Sequence, residues 1–175
     1  MAEIDFITAF GRLLRDGQLR DAFAANPTAV AGQIQLRSAD LTTWMELNPT
    51  DVELQADVLL RKRLDLVKYF APETCRKLGE KLWHEFRKFG RENWPPEGAG
   101  KITDAFQFCR RLRHNEPHTI VQSEWNRLDF AVSKRRVALH WIQMSGTKTK
   151  THRGLQLFFR SKGGHWREFF LYLGL

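Results

Sequence analysis

No run of about eighteen apolar residues occurs anywhere in the chain, so nothing in it reads as a membrane-spanning helix. The opening residues, MAEIDFITAF, hold two acids where a secretory signal would hold a basic region, and a soluble, cytoplasmic protein is expected. Cysteine is scarce. Cys75 and Cys109 fall in predicted helices without CxxC spacing, which gives a disulfide framework or a zinc site little support. Catalytic signatures are missing too: there is no glycine-rich phosphate loop, no GxSxG and no HExxH. The one stretch with metal-like spacing, His114 to His118 (HNEPH), contains Pro117, which breaks the helical turn that two ligands four residues apart would need. A binding module is therefore favoured over an enzyme, with no catalytic and no metal residues expected.

What the chain has in quantity is aromatic residues and, at one end, positive charge. Thirteen phenylalanines and six tryptophans are more apolar surface than a disordered chain leaves in water, and 175 residues can bury a real core. Residues 1–97 hold 14 Lys and Arg against 15 Asp and Glu, whereas residues 98–175 hold 14 against 5, so the whole net charge of +8 originates in the C-terminal part. Such a one-sided field favours an acidic partner, whether nucleic acid, peptide or protein face.

Apolar spacings of three and four predict helices over about 5–15, with Gly17 as its stop, then 18–25, a turn at 28–32, and a short helix capped by Ser38. The tetrad Thr50-Asp51-Val52-Glu53 has the form of a capping box and predicts a long helix to about Phe70, with Thr50 at the N-cap. Its Arg61-Lys62-Arg63 run reads as a solvated face, balanced by Asp57 and Asp65. One helix is expected from Pro72 past Phe89, another from a Thr103 cap to about Arg113, and a last one over about 119–132. Between them, Trp94 to Gly100 is the clearest loop.

From Lys134 onward the period changes from 3.6 to 2. Arg136–Gln143, Gly154–Arg160 and His165–Leu173 alternate as strands, and Ser161-Lys162-Gly163-Gly164 supplies a tight hairpin turn. The segment 146–153 between the first two strands reads as polar, basic and mobile. The fold class expected is α+β: an N-terminal helical bundle over residues 1–132 and a small three-stranded antiparallel sheet over 133–175. Both faces of that sheet are apolar, so it needs two covers. One is the chain's own helices, and the second can be a partner protein.

Two mechanisms suit the basic sheet. An extended acidic peptide can add a strand to an open edge, with cations for complementarity, or nucleic acid can lay phosphates on Lys and Arg and stack bases on aromatic rings. A third reading makes the aromatics core and the cations solubilising charge, and it ranks first for any single residue.

Leu19, Arg20, Phe23, Asn26, Pro27, Ala29 and Val30 near the start, the Leu59–Val67 helix, Pro72 with Thr74, and the terminal LFFR and WxxFFxYLG segments (Leu157–Arg160, Trp166–Gly174) together resemble a known family. They look like the small partner proteins of multinuclear non-heme iron oxidative enzymes, TIM barrels that modify cysteines in ribosomally made peptides. Members serve methanobactin and 3-thiaglutamate biosynthesis, and the second is the nearer likeness; there the enzyme removes the β-carbon of a cysteine at the end of a carrier peptide. The resemblance implies a heterodimer with the iron enzyme, recognition of the precursor or carrier peptide, and iron held by the enzyme rather than by this chain. It transfers the terminal strands as a region. On physical grounds Lys134, Arg135, Arg136, Val137, Leu139, His140 and Trp141 are the candidate peptide contacts, and Phe158, Arg160, Trp166, Phe169 and Tyr172 the candidate enzyme contacts. The alternative is a nucleic-acid-binding accessory protein.

Overall fold

The computed structural model describes residues 3–96, 100–145 and 151–172. The tip between the first two strands (146–150), Leu173 and the middle of the 94–100 loop lie outside them. Among the described residues the α+β expectation holds: helices α1 (Phe6–Arg15), α2 (Gly17–Ala25), α3 (Pro27–Ile34), α4 (Leu41–Met45), α5 (Pro49–Phe70), α6 (Pro72–Leu78), α7 (Lys81–Glu92), α8 (Lys101–Asn115) and α9 (Gln122–Val132) precede strands β1 (Val137–Ser145), β2 (Thr151–Arg160) and β3 (Trp166–Tyr172). None of the helices is long and apolar enough to cross a membrane. Contacts group the chain into two compact units, residues 1–65 with 81–97 and residues 66–80 with 98–175, a division that does not follow the helix-to-sheet change near residue 132.

The first unit is helical. Ala9, Leu13, Phe23, Val30, Ala31, Leu36, Trp44 and Val52 form its buried core, with the Phe23 and Trp44 rings edge to face at 5.0 Å. Several helix ends differ from the sequence reading because side chains with better reach take the cap. Asp16, rather than Gly17, separates α1 from α2: its carboxylate accepts from the amides of Gln18 and Leu19 at 2.9 and 3.0 Å, and Gly17 becomes the first residue of α2. The capping box at Thr50 does not form. Asn48 Oδ1 accepts from Thr50 N at 2.9 Å, so α5 begins at Pro49, two residues earlier than a Thr50 cap implies.

Glu53, released from that capping role, is the centre of an ion network. It accepts from Arg20 Nε at 2.8 Å, from Arg87 Nη2 at 2.6 Å and from Arg91, while Arg87 also reaches Asp57 and Arg91 reaches Asp21. Burial pushes the Glu53 carboxyl up, but the hydrogen bonds and charges of Arg20 and Arg91 outweigh it and hold the group below its ordinary value of 4.5. Arg63 corrects the reading of its run as a solvated face: it is buried, donates to the carbonyls of Gly90 and Asn93 at the end of α7, and lies 4.7 Å from the Trp94 ring.

The helix expected to run on from Pro72 stops at Leu78, where Gly79 takes a positive φ of 53° that side chains other than glycine rarely adopt. Its first half, α6, belongs to the second unit with α8, α9 and the sheet. There Glu124 of α9, itself buried, accepts from the amides of Glu73 and Thr74 at 2.7 and 2.8 Å, and Thr74 Oγ1 accepts from Val121 N. A carboxylate from a distant helix thus caps α6 and fixes the start of α9 beside it. Gly100, not Thr103, occupies the N-cap of α8, and α9 starts three residues later than expected, after a short 3-10 turn at Pro117–Thr119.

The sheet has the order β1-β2-β3, antiparallel throughout. The Ser161–Gly164 turn closes as expected, with Gly164 at φ 83° and Ser161 N donating to His165 O at 2.8 Å.

Candidate functional site

Register sorts the strand residues into two faces. Ala138, His140 and Ile142 align with Phe158, Gln156 and Gly154, and these with Glu168, Phe170 and Tyr172. This inner face carries the second unit's own packing. Phe158 is fully buried, its ring stacked on Phe130 at 5.0 Å, with Ala138 and the half-buried Trp166 completing the cluster. Gln156, also 0 % exposed, is satisfied on every side: Asn126 Nδ2 donates to its Oε1 at 2.9 Å, and its own Nε2 donates to Ser123 O at 2.9 Å and to Glu168 Oε1 at 2.6 Å. Glu168 in turn holds Arg127 at 2.8 Å. This chain of polar contacts ties α9 to β2 and β3 and fixes which face turns inward.

Three of the candidate enzyme contacts are therefore corrected. Phe158 has no exposed surface to offer, and Trp166 packs on Phe130 and Phe158 at 6.0 Å from each ring. Arg160 closes the C-terminal end of α9, donating to Phe130 O at 2.7 Å, to Ala131 O at 3.1 Å and to Ser133 O, with its guanidinium 4.8 Å from the Phe130 ring. Tyr172 ends β3, and its side chain lies outside the described residues. His140 also faces inward, edge-on to Phe158 at 6.1 Å. Its Nε2 is buried without a hydrogen-bond partner among the described residues, and desolvation, helped by Arg135 and opposed by Asp129, holds the ring's pKa below 6.5.

The outer face is the reverse. In three cross-strand rows, Val137–Phe159–Arg167, Leu139–Leu157–Phe169 and Trp141–Leu155–Leu171, every residue but the exposed Arg167 is apolar. Trp141 is 66 % exposed, and Val137, Leu139, Phe159, Phe169 and Leu171 are each about half exposed. A contiguous exposed apolar patch is a feature that a partner can cover. Four candidates drawn from the sequence, Val137, Leu139, Trp141 and Phe169, meet here, and Phe159 and Leu171 join them. Along its approach, Lys134, Arg135 and Arg136 are all exposed, but Arg135 is tied to Asp129, which leaves Lys134 and Arg136 without an ion pair among the described residues.

Sequence reasoning missed a groove in the same unit. About 1180 Å³ in volume, it is lined by Glu73 and Lys77 of α6, by Ile120–Ser123, by Trp141, Ile142 and Gln143 of β1, and by Arg153 of β2. That is above the ~300–1,000 Å³ of most small-molecule pockets. Glu124 ties the N-terminal ends of α6 and α9, two of the elements that line it, a contact that no local pattern announces.

The described residues include no group of three or more His, Cys, Asp or Glu placed to hold a metal. Both cysteines are buried and reduced; burial, with Glu124 second, raises the Cys75 thiol to about 11, and burial raises Cys109 further. Neither is a nucleophile at neutral pH.

Residues 45–114 match a family model described as SCO6045-like, C-terminal domain. The match runs from the end of α4 through most of α8 and stops short of the sheet, and the description names no activity. No curated protein and no solved structure matches the chain.

Proposed function

We propose that this chain is a non-catalytic partner subunit that captures a ribosomally made precursor or carrier peptide and presents its cysteine to a TIM-barrel, multinuclear non-heme iron enzyme. The observation that carries the reading is the outer face of the sheet, a surface of Trp141, Leu139, Phe159, Phe169 and Leu171 left in solvent although the inner face already has its helices. A surface of aliphatic and aromatic rows suits a protein partner, and the open β1 edge next to it suits an extended peptide. The C-terminal positive charge favours an acidic segment.

The resemblance seen in the sequence supplies the partner's class, and within it β-carbon removal from a C-terminal cysteine, as in 3-thiaglutamate biosynthesis, is the reaction served. Iron belongs to the enzyme in this reading, and the complex works in the cytoplasm.

The test is titration of a labelled precursor peptide ending in cysteine into the isolated chain and into its complex with the enzyme. Saturable binding to either supports the role, and binding to neither sinks it. Trp141, Phe159 and Phe169 could also stack bases, so a nucleic-acid reading has one specific observation behind it. That reading predicts a gel-shifted complex with single-stranded oligonucleotide at low salt whose affinity falls steeply toward physiological salt.

A further inference from the structure

The open edge of β1 and the groove beside it have a chemistry narrower than peptide capture in general. Arg160 N donates to Arg136 O at 2.7 Å, which makes these two a hydrogen-bonded pair at the start of the β1–β2 ladder. Antiparallel pairing alternates, so the even-numbered residues of β1 bond to β2 and the odd-numbered ones turn their N–H and C=O groups outward. Those of Val137, Leu139, Trp141 and Gln143 have no backbone partner beyond the sheet among the described residues. Trp141 and Gln143 form part of the groove wall, so the groove offers free main-chain donors and acceptors along one side.

The charges around it are unequal. Glu73 is held by Arg76, and the Glu124 carboxylate is taken up by the amides of Glu73 and Thr74. Lys77 on α6 and Arg153 on β2 are exposed and have no ion pair among the described residues. The α9 helix, whose first residues Gln122 and Ser123 line the groove, starts without a side-chain cap, which adds partial positive charge at the same place.

We propose that this groove selects an acidic residue of an extended peptide paired with the β1 edge, with Lys77 and Arg153 as the residues that determine the selection. The proposal rests on the peptide-docking reading above and adds its specificity. A strand added to β1 sends successive side chains to alternate sides. By register Arg153 belongs with the outer face, opposite Gln143, while Lys77 stands on the helical wall, so a carboxylate from either position finds a cation. When the carboxylate meets Lys77, the apolar residue next to it turns to the outer side and finds the exposed Trp141 ring.

The experiment uses the full chain and three fluorescein-labelled decapeptides in which valine alternates with glutamate, with serine or with lysine. Binding is read by anisotropy near physiological salt. The glutamate peptide is expected to bind about tenfold tighter than the serine peptide, and the lysine peptide not at all. The glutamates of an alternating peptide share one side of the added strand and so meet one of the two cations; the double variant Lys77→Glu with Arg153→Glu weakens the glutamate peptide about tenfold while leaving the serine peptide unchanged. Gln143→Pro, which removes an outward N–H at an edge position where proline is tolerated, weakens every peptide that binds. If the charge reversals leave the glutamate peptide unaffected while Gln143→Pro still weakens it, edge capture stands and the selection by Lys77 and Arg153 is overturned. If no peptide binds, or Gln143→Pro changes nothing, edge capture falls with it. Tighter binding of a labelled oligonucleotide than of the glutamate peptide, lost in the same charge-reversed variant, assigns the cations to nucleic acid and overturns the proposal.

Discussion

Replacing Gln156 with leucine tests how the outer face comes to be outward. The side chain is fully buried between β2 and α9 and makes three hydrogen bonds, from Asn126, to Ser123 O and to Glu168. Leucine is close in volume and leaves little cavity, so the cost comes from stranded polar groups. Asn126, 2 % exposed, keeps its bond from Gln122 Nε2 but loses the acceptor for its own amide, and Ser123 O loses a donor. Glu168 keeps Arg127. The stranded Asn126 amide at ~1–3 kcal/mol, with ~1 kcal/mol for the lost bonds to Ser123 O and Glu168 and slight relief from added apolar volume, gives a loss of about 3 kcal/mol. For a chain of this size that is roughly 6–12 °C in Tm. Hydrogen exchange at the β1 and β2 amides reads the second unit by itself and should show opening about a hundredfold more frequent, equivalent to about 3 kcal/mol. The double variant Gln156→Leu with Asn126→Leu removes the stranded amide and should recover about 1 kcal/mol. Exchange within threefold of wild type in the single variant would refute the claim that this network holds the sheet on α9.

Three further outcomes follow from the same contacts. Glu53→Gln leaves Arg20, Arg87 and Arg91 converging on a neutral group and should destabilise the first unit by about 2–4 kcal/mol in urea unfolding. Because the folded-state pKa of Glu53 is depressed, its contribution is present above 4.5 and is lost as pH falls below that value; an acid unfolding midpoint that moves upward in the variant checks it. The folded pKa of His140 is depressed as well, so its contribution is full above 6.5 and declines as pH falls through 6.5; His140→Phe should flatten the melting temperature of the second unit between pH 7 and 5. Buried thiols raised as Cys75 is, to about 11, should react with a disulfide reagent at neutral pH only as fast as the protein unfolds, and the reaction should be complete in denaturant.

The three strands were legible because period-2 alternation and the Gly163-Gly164 turn are local signals, and the charge imbalance toward the C-terminal part needed only counting. Which face turns inward was not legible. Apolar residues alternate on both faces, and the deciding residues are polar: Gln156 and Glu168 sit on the inner face because Asn126, Ser123 and Arg127 of α9 receive them. An isolated glutamine in an otherwise apolar strand was the available signal. Arg160 read as a contact for a partner and Arg63 as solvated because guanidinium groups that close helix ends do so across about thirty residues of chain, as in the contacts to Phe130 and Gly90. The capping box failed on one local and one distant contact: Asn48, two residues away, reached the Thr50 amide, and Glu53 found three arginines far away in sequence.

The central claim, that the outer face of the sheet is a docking surface, is tested most directly by the double variant Trp141→Ser with Phe169→Ser. Both side chains are exposed, so its melting temperature should stay close to that of wild type. Its affinity for the barrel enzyme, measured by calorimetry on the purified pair, should fall at least tenfold, since aromatic residues at the centre of an interface each contribute about 2 kcal/mol or more. Unchanged affinity in a variant that melts like wild type would contradict the account.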